Sequence, residues 1–252
     1  MKYFLVCMGI EQKVGGKMKN KVIIFDGDDT LWKTQELYNS AKQHFNELMK
    51  SQGFDENIIE LLDKIDMQRV EILKFSQSRF LESMLITYAM LCGKYRKNWS
   101  TKIESKIRDY AQVIFQFPPV LYEDAMETLD ILYKNFTLVL FTNGDIEIQR
   151  RKVESLGEKF ARYFTKIYIT EMKNKAEYRK IVDNFGVPPQ NIWVIGNSVK
   201  SDINPAIQVG LNAILIPRGT WKYEEDNLIS TEIFVVYSLT EAKNLILEKE
   251  RK

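Results

Sequence analysis

The stretch Val22-Ile23-Ile24-Phe25-Asp26-Gly27-Asp28-Asp29-Thr30-Leu31-Trp32 decides how the rest of the chain is read. Its apolar, mostly β-branched opening predicts a buried strand from about Lys21 to Asp26. The strand ends on three carboxylates packed around one glycine. Close carboxylates repel, and each raises the pKa of the others unless a cation or hydrogen-bond donors compensate. A divalent metal with hard oxygen ligands is the simplest compensation. The alternative is an ordinary Asp-Gly hairpin turn, and matching pieces later in the chain weigh against it.

Working outward, the chain has 252 residues, enough for one large domain or two smaller ones. Its net charge of +2 gives no electrostatic case for nucleic acid or an anionic membrane as the main partner. Cys7 and Cys92 lie too far apart in sequence to suggest a disulfide framework or zinc site, so a reducing, cytoplasmic setting is expected. No apolar run is long enough to span a bilayer, and Tyr3–Met8 is too short for a signal-peptide core. Residues 1–18 are expected to be an N-terminal extension. Gly15-Gly16-Lys17 before Met18 has the character of a translated ribosome-binding sequence, which would make Met18 the true start.

From Glu36 to about Phe117 apolar residues recur at helical spacing. Leu37, Ala41, Phe45 and Leu48 form one stripe, stopped by Gly53. Ile58, Leu61, Leu62 and Ile65 form a second, and Phe80, Met84, Tyr88 and Leu91 a third ending near Gly93. Thr101 with Glu104 has capping-box spacing and opens a fourth. Residues 34–117 are therefore expected to be an all-helical insertion, closed by Pro118-Pro119. Beyond it strands alternate with helices, which predicts an α/β core (residues 19–33 and 118–252) with a mostly parallel, Rossmann-like sheet. Ligands of such sheets bind beyond the carboxyl ends of the strands. That rule gathers Asp26, Thr142 and Gly196 on one edge.

Four pieces converge there: Asp26-Gly27-Asp28-Asp29-Thr30; the apolar strand Leu138–Phe141 followed by Thr142-Asn143-Gly144; a lysine at the start of a helix; and Gly196-Asn197-Ser198-Val199-Lys200-Ser201-Asp202. In this order they resemble the haloacid dehalogenase-like hydrolase superfamily, over about residues 20–245. The resemblance implies that the helical insertion is a cap of the family's first type. It implies Asp26 as a nucleophile forming an aspartyl-phosphate, and Asp28 as acid and base. Thr142 and the Asn143 amide would hold the phosphate, and Lys175, preferred over Lys173 because a helix begins there, would supply positive charge. Asp26, Asp28, Asn197 and Asp202 would surround Mg²⁺. Asn197 departs from the family, which usually has aspartate there; an amide oxygen can still ligate Mg²⁺, at the loss of one charge. Dehalogenases of the family lack an acid at the Asp28 position, so Asp28 favours phosphate esters. The expectation is a Mg²⁺-dependent phosphatase for a small phosphorylated metabolite. The alternatives are a weak or inactive member that binds such a ligand, and a phosphomutase. Asp29 is expected to take no part. His44 and the aromatics of the insertion are expected to pack rather than react, and Arg218 and Trp221 to lie on a loop at the same sheet edge.

Overall fold

The computed structural model describes the backbone of residues 6–8 and residues 19–115, 117–219 and 221–251 in full. The chain forms two compact units, Met1–Gln35 with Phe117–Lys252, and Glu36–Gln116.

The first unit is built on a sheet whose strands are β1 (Val6–Met8), β2 (Val22–Phe25), β3 (Thr137–Asn143), β4 (Phe164–Thr170), β5 (Ile192–Gly196), β6 (Asn212–Leu215) and β7 (Phe234–Val235). Their order is β1-β4-β3-β2-β5-β6-β7. Strands β2 to β7 run parallel, and β1 pairs antiparallel with β4 at the edge. Sequence periodicity did not reveal β1, which lies within the segment expected to be an extension; the other residues of 1–18 lie outside the described residues. Strand β2 sits between β3 and β5, with Phe25 level with Leu140 on one side and Ile195 on the other. The chain fills β3 and β4 on one side of β2 and then crosses from β4 to β5 and β6 on the other, so the order reverses at β2, where sheets of this kind bind ligands at the carboxyl end.

Alternate residues of the strands serve opposite faces. Ile23, Phe25, Leu138 and Leu140 pack with Leu129 and Leu132 of one helix and Ile246 of another. Val22, Ile24, Val139 and Phe141 pack with Tyr178, Ile181 and Val182. Both faces are covered, which is why these strands read as continuous apolar runs.

Helices α1 (Gln35–Ser51), α2 (Ile58–Leu73), α3 (Arg79–Tyr95) and α4 (Thr101–Gln112) supply the helical unit. Phe45, Leu48, Ile58, Leu62, Phe80, Met84, Leu91 and Ile107 form its own core. His44 stacks on Tyr110 at 5.3 Å. One boundary and one cap differ from expectation. Helix α3 continues through Gly93 and ends at Arg96, whose φ of 53° is left-handed. Helix α4 begins at Thr101 as expected, but Ser100 is the capping position and Glu104 accepts from Trp99 Nε1 at 2.9 Å and from Arg108 instead of closing a capping box.

The first unit's helices are α5 (Ala125–Tyr133), α6 (Ile146–Ser155), α7 (Glu158–Ala161), α8 (Lys175–Phe185), α9 (Asn204–Ile207) and α10 (Leu239–Lys249). A widened turn, Val199–Ile203, precedes α9. No helix among the described residues is long and apolar enough to cross a membrane.

Candidate active site

Strand β2 delivers Asp26 to the crevice, and the Asp26 amide continues the ladder by donating to Ile195 O at 2.9 Å. The residue after it must be small. A Cβ on Gly27 would sit 2.4 Å from the Trp32 ring and 3.1 Å from Thr142 Oγ1. The chain then turns back, and its three acids part company.

Asp26 is buried, and its Oδ1 accepts from Lys173 Nζ at 2.5 Å. The same ammonium donates to Asp202 Oδ1 at 2.6 Å. Burial pushes the Asp26 carboxyl well up; Lys173 opposes this, while Asp202 and Asp28 add to it. Burial alone would lower the Lys173 ammonium, but Asp202 and Asp26 outweigh it and raise its pKa. Asp26 Oδ2 is buried with no hydrogen-bond partner among the described residues, and so is Thr142 Oγ1. Two buried, unpaired oxygen atoms on neighbouring strands are costly unless a ligand or cation meets them.

Asp28 turns to other partners. Its Oδ1 accepts from Trp32 Nε1 at 2.7 Å, from Lys152 Nζ at 2.5 Å and from Thr34 Oγ1. Its Oδ2 accepts from Gln149 Nε2 at 2.5 Å. Burial pushes this carboxyl up, but the Lys152 charge and the bonds from Lys152, Thr34 and Gln149 prevail and hold it below the usual carboxylate range. Asp29 adopts φ 58° and turns away. It accepts the Thr34 and Gln35 amides at 2.9 and 3.0 Å, where α1 begins, and burial lifts its pKa to about 6.

The lysine that the structure brings to the acids is Lys173, not Lys175. Asn174 caps α8, accepting from Ala176 N at 2.9 Å and Glu177 N at 3.1 Å. That cap places Lys175 in the first turn, where it is exposed. Lys173 precedes the cap on the segment from β4 and is buried against Asp26.

Asp202, expected beside the metal, meets protein donors: its Oδ1 accepts from Lys173 Nζ at 2.6 Å and its Oδ2 from the Ser198 amide at 3.0 Å, one donor to each oxygen. A Cβ on Gly196 would lie 2.4 Å from the Asp202 carboxyl, which explains the glycine at the end of β5. Asn197 donates its Nδ2 to Arg218 O at 3.0 Å, leaving Oδ1 as the amide's acceptor. Arg218 itself lies over the Tyr122 ring at 4.0 Å. Asn143 closes β3, and its carbonyl accepts from Gln149 Nε2 at 3.1 Å.

No group of three or more His, Cys, Asp or Glu side chains among the described residues is arranged to hold a metal. Asn197 stands where a carboxylate was expected, Asp28 is engaged by Lys152, and Asp202 by Lys173. Asp26 Oδ2, which has no protein donor among the described residues, is the oxygen most in need of a cation, and Asn197 Oδ1 is a neutral oxygen that suits one. An unpaired, buried carboxylate oxygen with neutral oxygen donors suits a hard cation such as Mg²⁺, which keeps several waters and needs few protein carboxylates.

Three contributors were not singled out from sequence. Gln149 and Lys152 belong to a helix that reads as charged and solvated. Glu224 is half-buried in a turn, where its carboxylate accepts from Ser201 Oγ at 2.6 Å and from Ser198 Oγ. Asp145 opening α6, with Gln149 and Lys152 three apart behind it, is the one signal that a face of this helix turns inward.

The haloacid dehalogenase-like hydrolase family profile matches residues 20–210. Glyceraldehyde 3-phosphate phosphatase of Pyrococcus furiosus is 25% identical over 241 residues, covering 92% of this chain and 94% of that protein. N-acylneuraminate-9-phosphatase of Mus musculus is 32% identical over 99 residues, 37% of this chain and 39% of that one. A haloacid dehalogenase-like family hydrolase from Xanthomonas campestris has the same fold. Its TM-score is 0.74 at 19% identity, over 94% of this chain and all of that one.

Proposed function

This chain belongs to the haloacid dehalogenase-like hydrolases, and from that premise we propose that it is a Mg²⁺-dependent phosphatase cleaving a small phosphomonoester through a phosphorylated Asp26. The observation that carries this reading is the Asp26 carboxylate itself. It is buried, anchored through Oδ1 by Lys173, and left with Oδ2 unpaired, as is the Thr142 hydroxyl on the neighbouring strand. The phosphatase named from Pyrococcus furiosus, similar along nearly the whole chain, supports the reaction class. Both relatives named as phosphatases act, by those names, on small phosphorylated compounds, which supports the same substrate class here. The helical insertion takes the role of cap in this reading.

Asp26 attacks phosphorus as the bond to the leaving oxygen breaks. Thr142 Oγ1 and the Asn143 N–H donate to the phosphoryl oxygens, and Lys173 offsets charge on Asp26. Asp28 passes a proton to the leaving oxygen, and takes one from the water that then releases Asp26. A phosphate dianion arriving beside Asp28 raises its proton affinity, against the pull of Lys152. Mg²⁺, held by Asp26 Oδ2, the Asp28 main-chain carbonyl and Asn197 Oδ1, supplies charge neutralisation and in-line orientation when bound. Asp202 serves by fixing Lys173.

Phosphate release from 4-nitrophenyl phosphate and a panel of sugar phosphates, phosphoglycolate and nucleoside monophosphates, with and without Mg²⁺, tests the proposal. Mg²⁺-dependent release lost in Asp26→Asn is the expected result. No release across the panel at high Mg²⁺ would contradict it.

A further inference from the structure

Asp28 carries more hydrogen bonds than a freely swinging acid needs. Trp32 and Thr34, four and six residues away, bond Oδ1 from the same turn. The other two donors come from α6, more than a hundred residues along the chain. Gln149 and Lys152 are three apart, so they share one face of that helix, and both are buried.

The two oxygens of Asp28 are not equivalent. Oδ1 accepts three donors, more than its two lone pairs serve well. Oδ2 accepts only the Gln149 amide and keeps one lone-pair direction open. Gln149 is itself located, because the same Nε2 donates to Asn143 O at the end of β3. Helix α6 is anchored at that place: Asp145 Oδ1 accepts from Glu147 N and Ile148 N at 3.1 and 3.2 Å. A Cβ on Gly144 would lie 2.8 Å from Gln149 Nε2, so the turn leaves room for this contact.

We propose that Gln149 and Lys152 are positioning residues, a two-point clamp on Asp28 that saturates Oδ1 and presents Oδ2 to the leaving oxygen. The inference rests on the phosphatase reading. In the first step the Asp26–phosphorus bond forms, the bond from phosphorus to the leaving oxygen breaks, and the proton moves from Asp28 Oδ2 to that oxygen. In the second the water–phosphorus bond forms, the Asp26–phosphorus bond breaks, and the water proton returns to Oδ2. The competing explanation is that Lys152 only neutralises a buried acid and Gln149 only fills space. The two differ in whether the leaving group matters.

The esters 4-nitrophenyl phosphate and phenyl phosphate separate them, since 4-nitrophenolate departs with little help and phenolate needs a proton. Steady-state constants are measured for both esters with the wild type, Gln149→Leu, Lys152→Met, Asp28→Asn and the two double variants carrying Asp28→Asn. In each α6 variant the fall in kcat/KM, which covers the step in which the leaving group departs, is expected to be about tenfold larger for phenyl phosphate than for 4-nitrophenyl phosphate. On the Asp28→Asn background, either α6 substitution is expected to add less than about twofold. Equal falls in kcat/KM on both esters, or full additivity with Asp28→Asn, would overturn the inference. If Lys152→Met does not fold, Gln149→Leu carries the same expectation without altering charge. A wild type inactive on both esters defeats the phosphatase reading and the clamp together; an active wild type with uniform losses defeats the clamp alone.

Discussion

Three adjacent acids meet three fates because each meets different donors. Asp26 keeps an unpaired oxygen, Asp28 is held by four donors, and Asp29 is turned by its positive φ onto the Thr34 and Gln35 amides. Asp28 gives a stability prediction with a definite sign. Its pKa is depressed in the folded state, so its contribution is present above the unfolded value of about 3.9 and is lost as pH falls toward the folded one. Asp28→Asn leaves Lys152 buried without its ion-pair partner. The expected cost in denaturant unfolding without Mg²⁺ is about 3 kcal/mol at pH 7, narrowing below pH 4; a pH-independent cost would contradict the pairing. Asn197 gives a second prediction. Restoring a carboxylate with Asn197→Asp is expected to lower the half-saturating Mg²⁺ concentration about tenfold, read from activity and from binding calorimetry. Legibility was uneven at this scale. Asp26, Asp28 and Thr142 stood out because apolar strands ended on them. The choice between Lys173 and Lys175 turned on where a side chain reaches, which Asn174 decides by capping α8 one residue earlier. Asp202 showed its carboxylate in the sequence, but not that Lys173 and the Ser198 amide would each donate to one of its oxygens.

The elements do their work at their ends. Strand β5 ends on a glycine because Asp202 folds back to within 2.4 Å of where a Cβ would be. Gly196→Ala is therefore expected to displace Asp202 and, through it, Lys173. The predicted loss of kcat is about a hundredfold, with secondary structure by circular dichroism unchanged. Helix α6 depends on its cap in a milder way. Asp145→Ala is expected to lower stability by about 1 kcal/mol, seen as a melting point lower by about 2–4 °C. The helix–strand alternation was readable because each element has its own period. The inward face of α6 was not, since Gln149, Arg150, Arg151 and Lys152 look alike in sequence, and only packing shows that the first and last are buried. Strand β1 had no alternation to mark it as an edge strand. Gly93 misled for the opposite reason: a glycine signals a helix end on average, but here α3 runs on and Arg96 takes the left-handed position.

At the scale of the molecule, a parallel sheet with a crevice at β2 brings four distant segments together, and a helical unit with its own core is inserted between the first two of them. The unpaired oxygens are then a property of the whole fold rather than of one loop, and a ligand that meets them stabilises all of it. Mg²⁺ at a hundred times its dissociation constant is expected to add about 2.7 kcal/mol, raising the melting temperature by about 5–10 °C. The rise should vanish with chelator and be absent in Asp26→Asn; an equal rise in that variant would place the cation elsewhere. The central claim is that Asp26 takes the phosphoryl group. Acid quenching during turnover of a phosphate ester, followed by peptide mass spectrometry, tests it most directly. The predicted result is a phosphoryl adduct on Asp26 that is labile to hydroxylamine and absent in Asp26→Asn. Turnover with no such adduct at any quench time, or with the adduct on another residue, would contradict it.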